Sequence, residues 1–267
     1  MSSVDIHPSS VVDPKAKLGE GVKIGPFCLI GPEVVLGDRV HLKSHVVVQG
    51  NTVIGEDTVI WPFAAIGVEP QDLKYRNEPS RLEIGARNRI REHVTMHPGT
   101  EGGGMLTKIG NDCLFMVGVH IAHDCIVGNH VIMANNATLG GHVVVGDRVL
   151  LGGLCAVHQF CRVGSHAVVG GLTAVDSDII PYGRAKGGRA TLSGLNLIGL
   201  ERQGYDRKQI RAIQHAIDSL FEGEGTLEDR LNKLEAEHSE VFEIQAIIDF
   251  ARKRDRFPLC APDRKQA

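Results

Sequence analysis

The stretch IGPFCLIGPEVVLGDRVHL, Ile24 to Leu42, decides the fold. Ile24, Ile30, Leu36 and Leu42 recur at every sixth position, glycine follows at Gly25, Gly31 and Gly37, and small or β-branched residues stand four positions on at Cys28, Val34 and Val40. A period of six fits neither an amphipathic helix nor a simple alternating strand. It fits a parallel β-helix, in which each hexad is a short strand plus a corner and three hexads close one triangular coil. The aliphatic residue and the small residue four later point inward. Glycine and polar residues are expected at the corners, where positive φ is often needed.

Outward from this stretch the period runs from Ile6 to Ile66, resumes at Ile84, Ile90 and Met96, and continues out of phase from Ile109 to Val175. Two segments break it, GVEPQDLKYRNEPSR at 67–81 and PGTEGGGMLT at 98–107. Loops ejected from a regular solenoid are functional candidates, because the scaffold does not need them. The repeat ends near Pro181, and a helical pattern follows. Ser193 is a candidate cap for a helix closed by Gly204. Asp206 with Gln209, and Thr226 with Asp229, open two more helices. A last helix carries Val241, Ile244, Ile247, Ile248 and Phe250. The expected architecture is an all-β solenoid over residues 1–190 and a small α-helical domain over 191–267.

Composition agrees. Aromatic residues make up only 4% of the chain, against 32 glycines among 267 residues, which suits aliphatic layers and tight turns. A net charge of -3 points to neither nucleic acid nor a membrane surface. No apolar run is long enough to span a bilayer and no signal-peptide pattern opens the chain, so a cytoplasmic protein is expected. Cys28, Cys113, Cys125, Cys155 and Cys161 fall on inward positions of the repeat and read as core. No CxxC spacing suggests a zinc knuckle.

Residues eighteen apart should stack on successive coils, so sequence arithmetic places side chains. His123 comes below Gly141 and Gln159, and Asp124 below His142 and Phe160, while His120 and His158 flank the same edge. His130 falls at another corner and reads as a solvated polar residue. Histidine titrates near neutrality, and a neighbouring carboxylate can orient its ring. With no activated serine beside it, His123 would act directly as a general base on a bound hydroxyl. The Gly141 N–H could stabilise an oxyanion. Two other readings stay open at this level. One is a zinc site on His120, His123 and His142, as in the γ-class carbonic anhydrases. The other is a purely structural scaffold.

The segments IGPFCLIGP, LKSHVVV, QDLKY, NRIREHVTMHPGT, HIAHDCIVGN, ANNATLGGHV, AVHQF and VVGG closely resemble the bacterial acyl-[acyl-carrier-protein]–UDP-N-acetylglucosamine O-acyltransferases over nearly the whole chain. The resemblance implies a left-handed coil. It also implies a cytoplasmic homotrimer with active sites in grooves between subunits and no cofactor or metal. The implied reaction moves a 3-hydroxyacyl group from acyl carrier protein to the sugar 3-hydroxyl of UDP-N-acetylglucosamine, the first step of lipid A synthesis. It marks His123 as base, Asp124 as its orienting carboxylate and Gly141 as oxyanion donor. Asp72, Lys74, His120, His142, His158, Gln159, Asn196 and Arg202 match substrate-contacting positions. Gly171 matches the acyl-chain ruler, and a glycine there implies a longer chain. The sequence departs from the family pattern at Pro98, at Ile198 and at Gln203 beside Arg202, which bears on the nucleotide contacts. Because acyl carrier protein is acidic, the basic run ARKRDR at 251–256 and Arg184, Lys186 and Arg189 become candidate docking residues.

Overall fold

The computed structural model describes residues 4–263; the outermost ends of the two expected domains, 1–3 and 264–267, lie outside the described residues. From Asp5 to Val175 the chain is a succession of short strands, and every third strand pairs in parallel to build three sheets. Asp5 pairs with Lys23, Lys23 with His41 and His41 with Val59, the 18-residue step that the hexads predict. Across the first ejected loop Val59 pairs with Arg89, and across the second Arg89 pairs with Leu114. Leu114 then pairs with Ile132, so the step is restored. Both loops leave the coil without changing which side chains point inward.

The core is a column of aliphatic layers. Ile30, Leu36, Leu42, Ile54, Ile60 and Ile66 are fully buried, as are Val34, Val40 and Val46 between them. Each large side chain contributes about 1.5–3 kcal/mol of burial. Ile6 is 41% exposed, because among the described residues no coil lies below the first. The five repeat cysteines are buried, and burial pushes the Cys125 and Cys161 thiols up to about 12. They are packing residues with no accessible thiolate.

The glycines have a different reason from the expected one. The left-handed corner positions are occupied mainly by non-glycine residues, among them Phe27, Arg39, Asp124 and His142, with φ near +60°. The repeat glycines instead sit where adjacent coils touch. A Cβ on Gly25 would lie 2.5 Å from the Lys43 carbonyl oxygen, and one on Gly37 2.8 Å from the Glu56 nitrogen. Close backbone approach selects glycine there.

Beyond the coil, Gly183–Lys186 joins the first sheet through Arg184 opposite Val168, then pairs antiparallel with Thr191–Leu195. Ser193 lies in that second strand and caps nothing; the cap of α1 (Leu197–Arg202) is Asn196, whose side chain accepts the Gly199 N–H. Gly204 follows the helix in the left-handed conformation, as expected of a helix stop. Full capping boxes open α2 (Arg207–Glu222) at Asp206 and α3 (Leu227–His238) at Thr226. With α4 (Phe242–Arg252) they bury Ile213, Ile217, Leu220, Leu231, Leu234, Ile244, Ile247 and Ile248, while Ile210, Leu227 and Phe250 are only partly covered. Arg162 on the coil fastens the helices. It forms a 2.6 Å ion pair with Asp178 and donates to the Phe250 carbonyl. Among the described residues no helix is long and apolar enough to cross a membrane.

Candidate active site

The corner between the second and third sheets carries the histidines. Asp124, His142 and Phe160 occupy successive left-handed positions there, with φ of 60°, 61° and 66°. His123 Nδ1 is 2.8 Å from Asp124 Oδ2, and Asp124 is 5% exposed. The second ejected loop supplies that burial. The Thr100 N–H donates to Asp124 Oδ1 at 2.9 Å and its hydroxyl to Oδ2 at 2.6 Å. The Asp124 N–H donates to Thr107 Oγ1 at 2.7 Å. Gly103 packs directly on the carboxylate and leaves no room for a Cβ, while Gly104 is held at a left-handed φ of 93°. Burial alone would raise the Asp124 pKa; the hydrogen bonds from His123 and Thr100 outweigh it and hold the carboxyl below its usual range.

This clasp sets the tautomer. A carboxylate on Nδ1 makes Nδ1 the protonated nitrogen and leaves Nε2 as the free base. The imidazole lies against Gly141, where a Cβ would come 2.6 Å from Cε1 and 2.7 Å from Nε2. The Gly141 N–H has no acceptor among the described residues, although the residue is buried. Base and free donor are thus adjacent. The three-coil stacking expected from sequence is present. His142 meets His123 edge-on at 5.0 Å and stacks on Phe160 at 4.3 Å. Burial lowers the His142 pKa, opposed by Asp124 and assisted by His123. His120 is also lowered by burial and by His123; its Nδ1 is 2.7 Å from Thr95 Oγ1.

Three groups at this site were not legible in the sequence. Thr100 and Thr107 grip Asp124 from either side of the glycine run. His97, packed edge-on to His120 at 5.2 Å, is 3% exposed and makes no hydrogen bond of ordinary geometry through either ring nitrogen. Burial, then His120, pushes its pKa down to about 4. HPGT at 97–100 carries the available signal, since both His97 and Thr100 stand in it.

The zinc reading does not match the donors. His123, Asp124 and His142 can bring ligand atoms within 4.8 Å of one another, but His120 is not among them. The carboxylate in that trio is already committed to Thr100 and His123.

A family profile for UDP-N-acetylglucosamine O-acyltransferase, domain 2, matches residues 178–260, and the six-repeat bacterial transferase hexapeptide profile matches 15–50, 33–67 and 106–141. The acyl-[acyl-carrier-protein]–UDP-N-acetylglucosamine O-acyltransferase of Myxococcus xanthus is 50% identical over 94% of this chain and 97% of its own length. The chain belongs to that family. Another member, from Paracoccus denitrificans, is 55% identical over 72% of each chain. The solved UDP-N-acetylglucosamine acyltransferase of Francisella novicida is 33% identical and superposes with a TM-score of 0.94, covering 98% of this chain and 95% of its own. The left-handed parallel β-helix with a helical C-terminal part is therefore the family fold, and the chain is an O-acyltransferase. The hydratase and scaffold readings find no support among these relatives.

The remaining expected contacts of the acyltransferase are more scattered. Asp72 and Lys74 sit on the first ejected loop, where the Lys74 N–H donates to Asp72 Oδ1. The Asp72 carboxylate is near enough to raise the His142 pKa slightly. His158 and Gln159 are exposed on the edge that carries the histidines. Asn196 spends both ends of its amide on structure, capping α1 and donating to the His166 carbonyl. Arg202 ends α1, exposed, and Ile198 on the same helix is 65% exposed. Gln203 beside it turns inward and is half-buried. Gly171 lies at the corner between the first and second sheets, beside the exposed Leu154 and Leu172.

Proposed function

We propose that the chain transfers a 3-hydroxyacyl group from acyl carrier protein to the sugar 3-hydroxyl of UDP-N-acetylglucosamine, with His123 as general base. The observation that carries this reading is the hydrogen bond from His123 Nδ1 to a carboxylate itself clasped by Thr100. Neutral Nε2 takes the hydroxyl proton as the oxygen attacks the thioester carbonyl. The carbon–oxygen bond forms, and negative charge collects on the carbonyl oxygen, where the Gly141 N–H can donate. Collapse breaks the carbon–sulfur bond. The imidazolium, stabilised by Asp124, returns the proton to the departing thiolate. No electrons change hands, and the histidine ends neutral.

His120, His142, His158 and Gln159 line the sugar, nucleotide or acyl path in this reading. Between the catalytic edge and Gly171 the second sheet presents the small outward side chains Thr138, Ala156 and Ala174, a smooth floor for an acyl chain running to the ruler position. Asn196, through the amide N–H that its two structural bonds leave over, and Arg202 are assigned to substrate, and the assembly is a cytoplasmic homotrimer. Arg184, Lys186 and Arg189 are exposed and suit an acidic carrier protein.

Mass spectrometry of the product from UDP-N-acetylglucosamine and a panel of 3-hydroxyacyl carrier proteins tests the reaction and reads the chain length. His123→Gln tests the base. A folded variant that keeps substantial turnover would end that assignment.

A further inference from the structure

The segment after α4 returns to the catalytic edge between two anchors. At one end Arg252 is held by Glu235 at 2.9 Å and Asn232 at 2.7 Å. At the other, the Asp178 N–H donates to the Pro258 carbonyl at 2.9 Å and the Cys260 N–H to the Asp178 carbonyl at 2.8 Å. Asp178 is itself locked to the coil by Arg162. What lies between is therefore placed rather than trailing. The Phe257 ring meets His158 edge-on at 5.5 Å. The Arg256 guanidinium carbon sits 3.7 Å from the centroid of the Phe160 ring. One column of rings thus runs from His123 through His142 and Phe160 and ends on a cation.

The fold makes no evident use of that cation. The Arg256 side chain forms no hydrogen bond among the described residues, and its ion pair with Asp255 is a long 3.9 Å contact. Asp255 is 89% exposed, so water screens the pair. A guanidinium lying on an aromatic face keeps its N–H edge free while the ring holds the plane in position. Such an edge matches two oxygens of a phosphate group. Arg256 also bears on His142, adding to the effects that keep that imidazole neutral.

We infer that Arg256, held by Phe160, binds a phosphate group of a substrate seated on the catalytic edge. The inference rests on the reading of that edge as the active site. It removes Arg256 from the open docking face formed by the rest of the basic run. Two substrate groups share the required chemistry: the diphosphate of the nucleotide sugar and the phosphodiester of the carrier protein's thiol-bearing arm.

Steady-state kinetics of Arg256→Gln and Arg256→Lys, with each substrate varied in turn, decide it. The glutamine variant should raise one KM about tenfold, the scale of a lost charge-assisted hydrogen bond, with kcat within about threefold. The lysine variant should recover part of the loss. A raised KM for UDP-N-acetylglucosamine, with weaker calorimetric binding of UDP, identifies the diphosphate. A raised KM for the acyl carrier protein alone, which persists at high salt, identifies the phosphodiester. Unchanged KM values for both substrates, or a fall in kcat or melting temperature without a KM change, overturns the inference. His123→Gln with full turnover would instead remove the active-site reading beneath it, so the two failures are separable.

Discussion

Replacing Gly141 by alanine should disable the base without removing any catalytic group. A Cβ there would stand 2.6 Å from His123 Cε1 and 2.7 Å from Nε2, where ordinary contact begins at 3.4 Å. The ring must retreat by about 0.8 Å. Asp124 cannot follow, because Thr100 holds both carboxylate oxygens and the residue is buried. The 2.8 Å bond that fixes the tautomer is therefore stretched or lost. A displacement of this size costs about 100-fold in turnover. The Gly141 N–H survives the substitution, and the residue lies outside the left-handed region, so neither oxyanion donor nor backbone is lost. The His123 side chain is 16% exposed at an open edge and can yield, so stability should change by only about 1 kcal/mol. Steady-state kcat and a melting curve test this beside Gly188→Ala, where a Cβ meets nothing within 4 Å. A folded Gly141→Ala enzyme turning over within threefold of the parent would refute the packing argument.

Other outcomes follow from the same geometry. His123→Gln should lower kcat by about 10²–10⁴-fold, the usual worth of a positioned acid–base group, with little change in melting temperature. Thr100→Val removes the 2.6 Å bond to Asp124 but keeps the shape; denaturant titration should show a loss of about 1.5–3 kcal/mol and kinetics a lower kcat, whereas an unchanged midpoint would contradict the clasp. His97 has a folded pKa of about 4 against an ordinary 6.5, so the unfolded chain takes up its proton first. That contribution is fully present above about pH 6.5 and lost as pH falls toward 4, about 3 kcal/mol in all. A His97→Phe variant should lose this part of the pH dependence in urea unfolding, and identical slopes for both proteins would count against the burial argument.

The coil was legible because a hexad repeat with an 18-residue step turns position in sequence into position in space. Stacking of His123 under Gly141, and of Asp124 under His142 and Phe160, needed only counting. Capping boxes at Asp206 and Thr226 are local, and the structure contains them. Ser193 failed as a cap because the chain first makes a hairpin whose first strand finds its partner on the last coil, at Val168, and whose second strand, carrying Ser193, pairs with the first; side-chain pattern does not encode that non-local pairing.

By itself, then, the sequence determined the repeating scaffold, the inward cysteines and the column of polar residues on one edge, because each depends on a period. It could not determine what the aperiodic segments do on returning to that edge. Thr100 on Asp124, Gly103 packed over the same carboxylate, His97 buried edge-on against His120 and Arg256 resting on Phe160 are joined by long-range contacts whose partners no spacing predicts. The tertiary structure decided those, and with them which nitrogen of His123 is left free to take a proton.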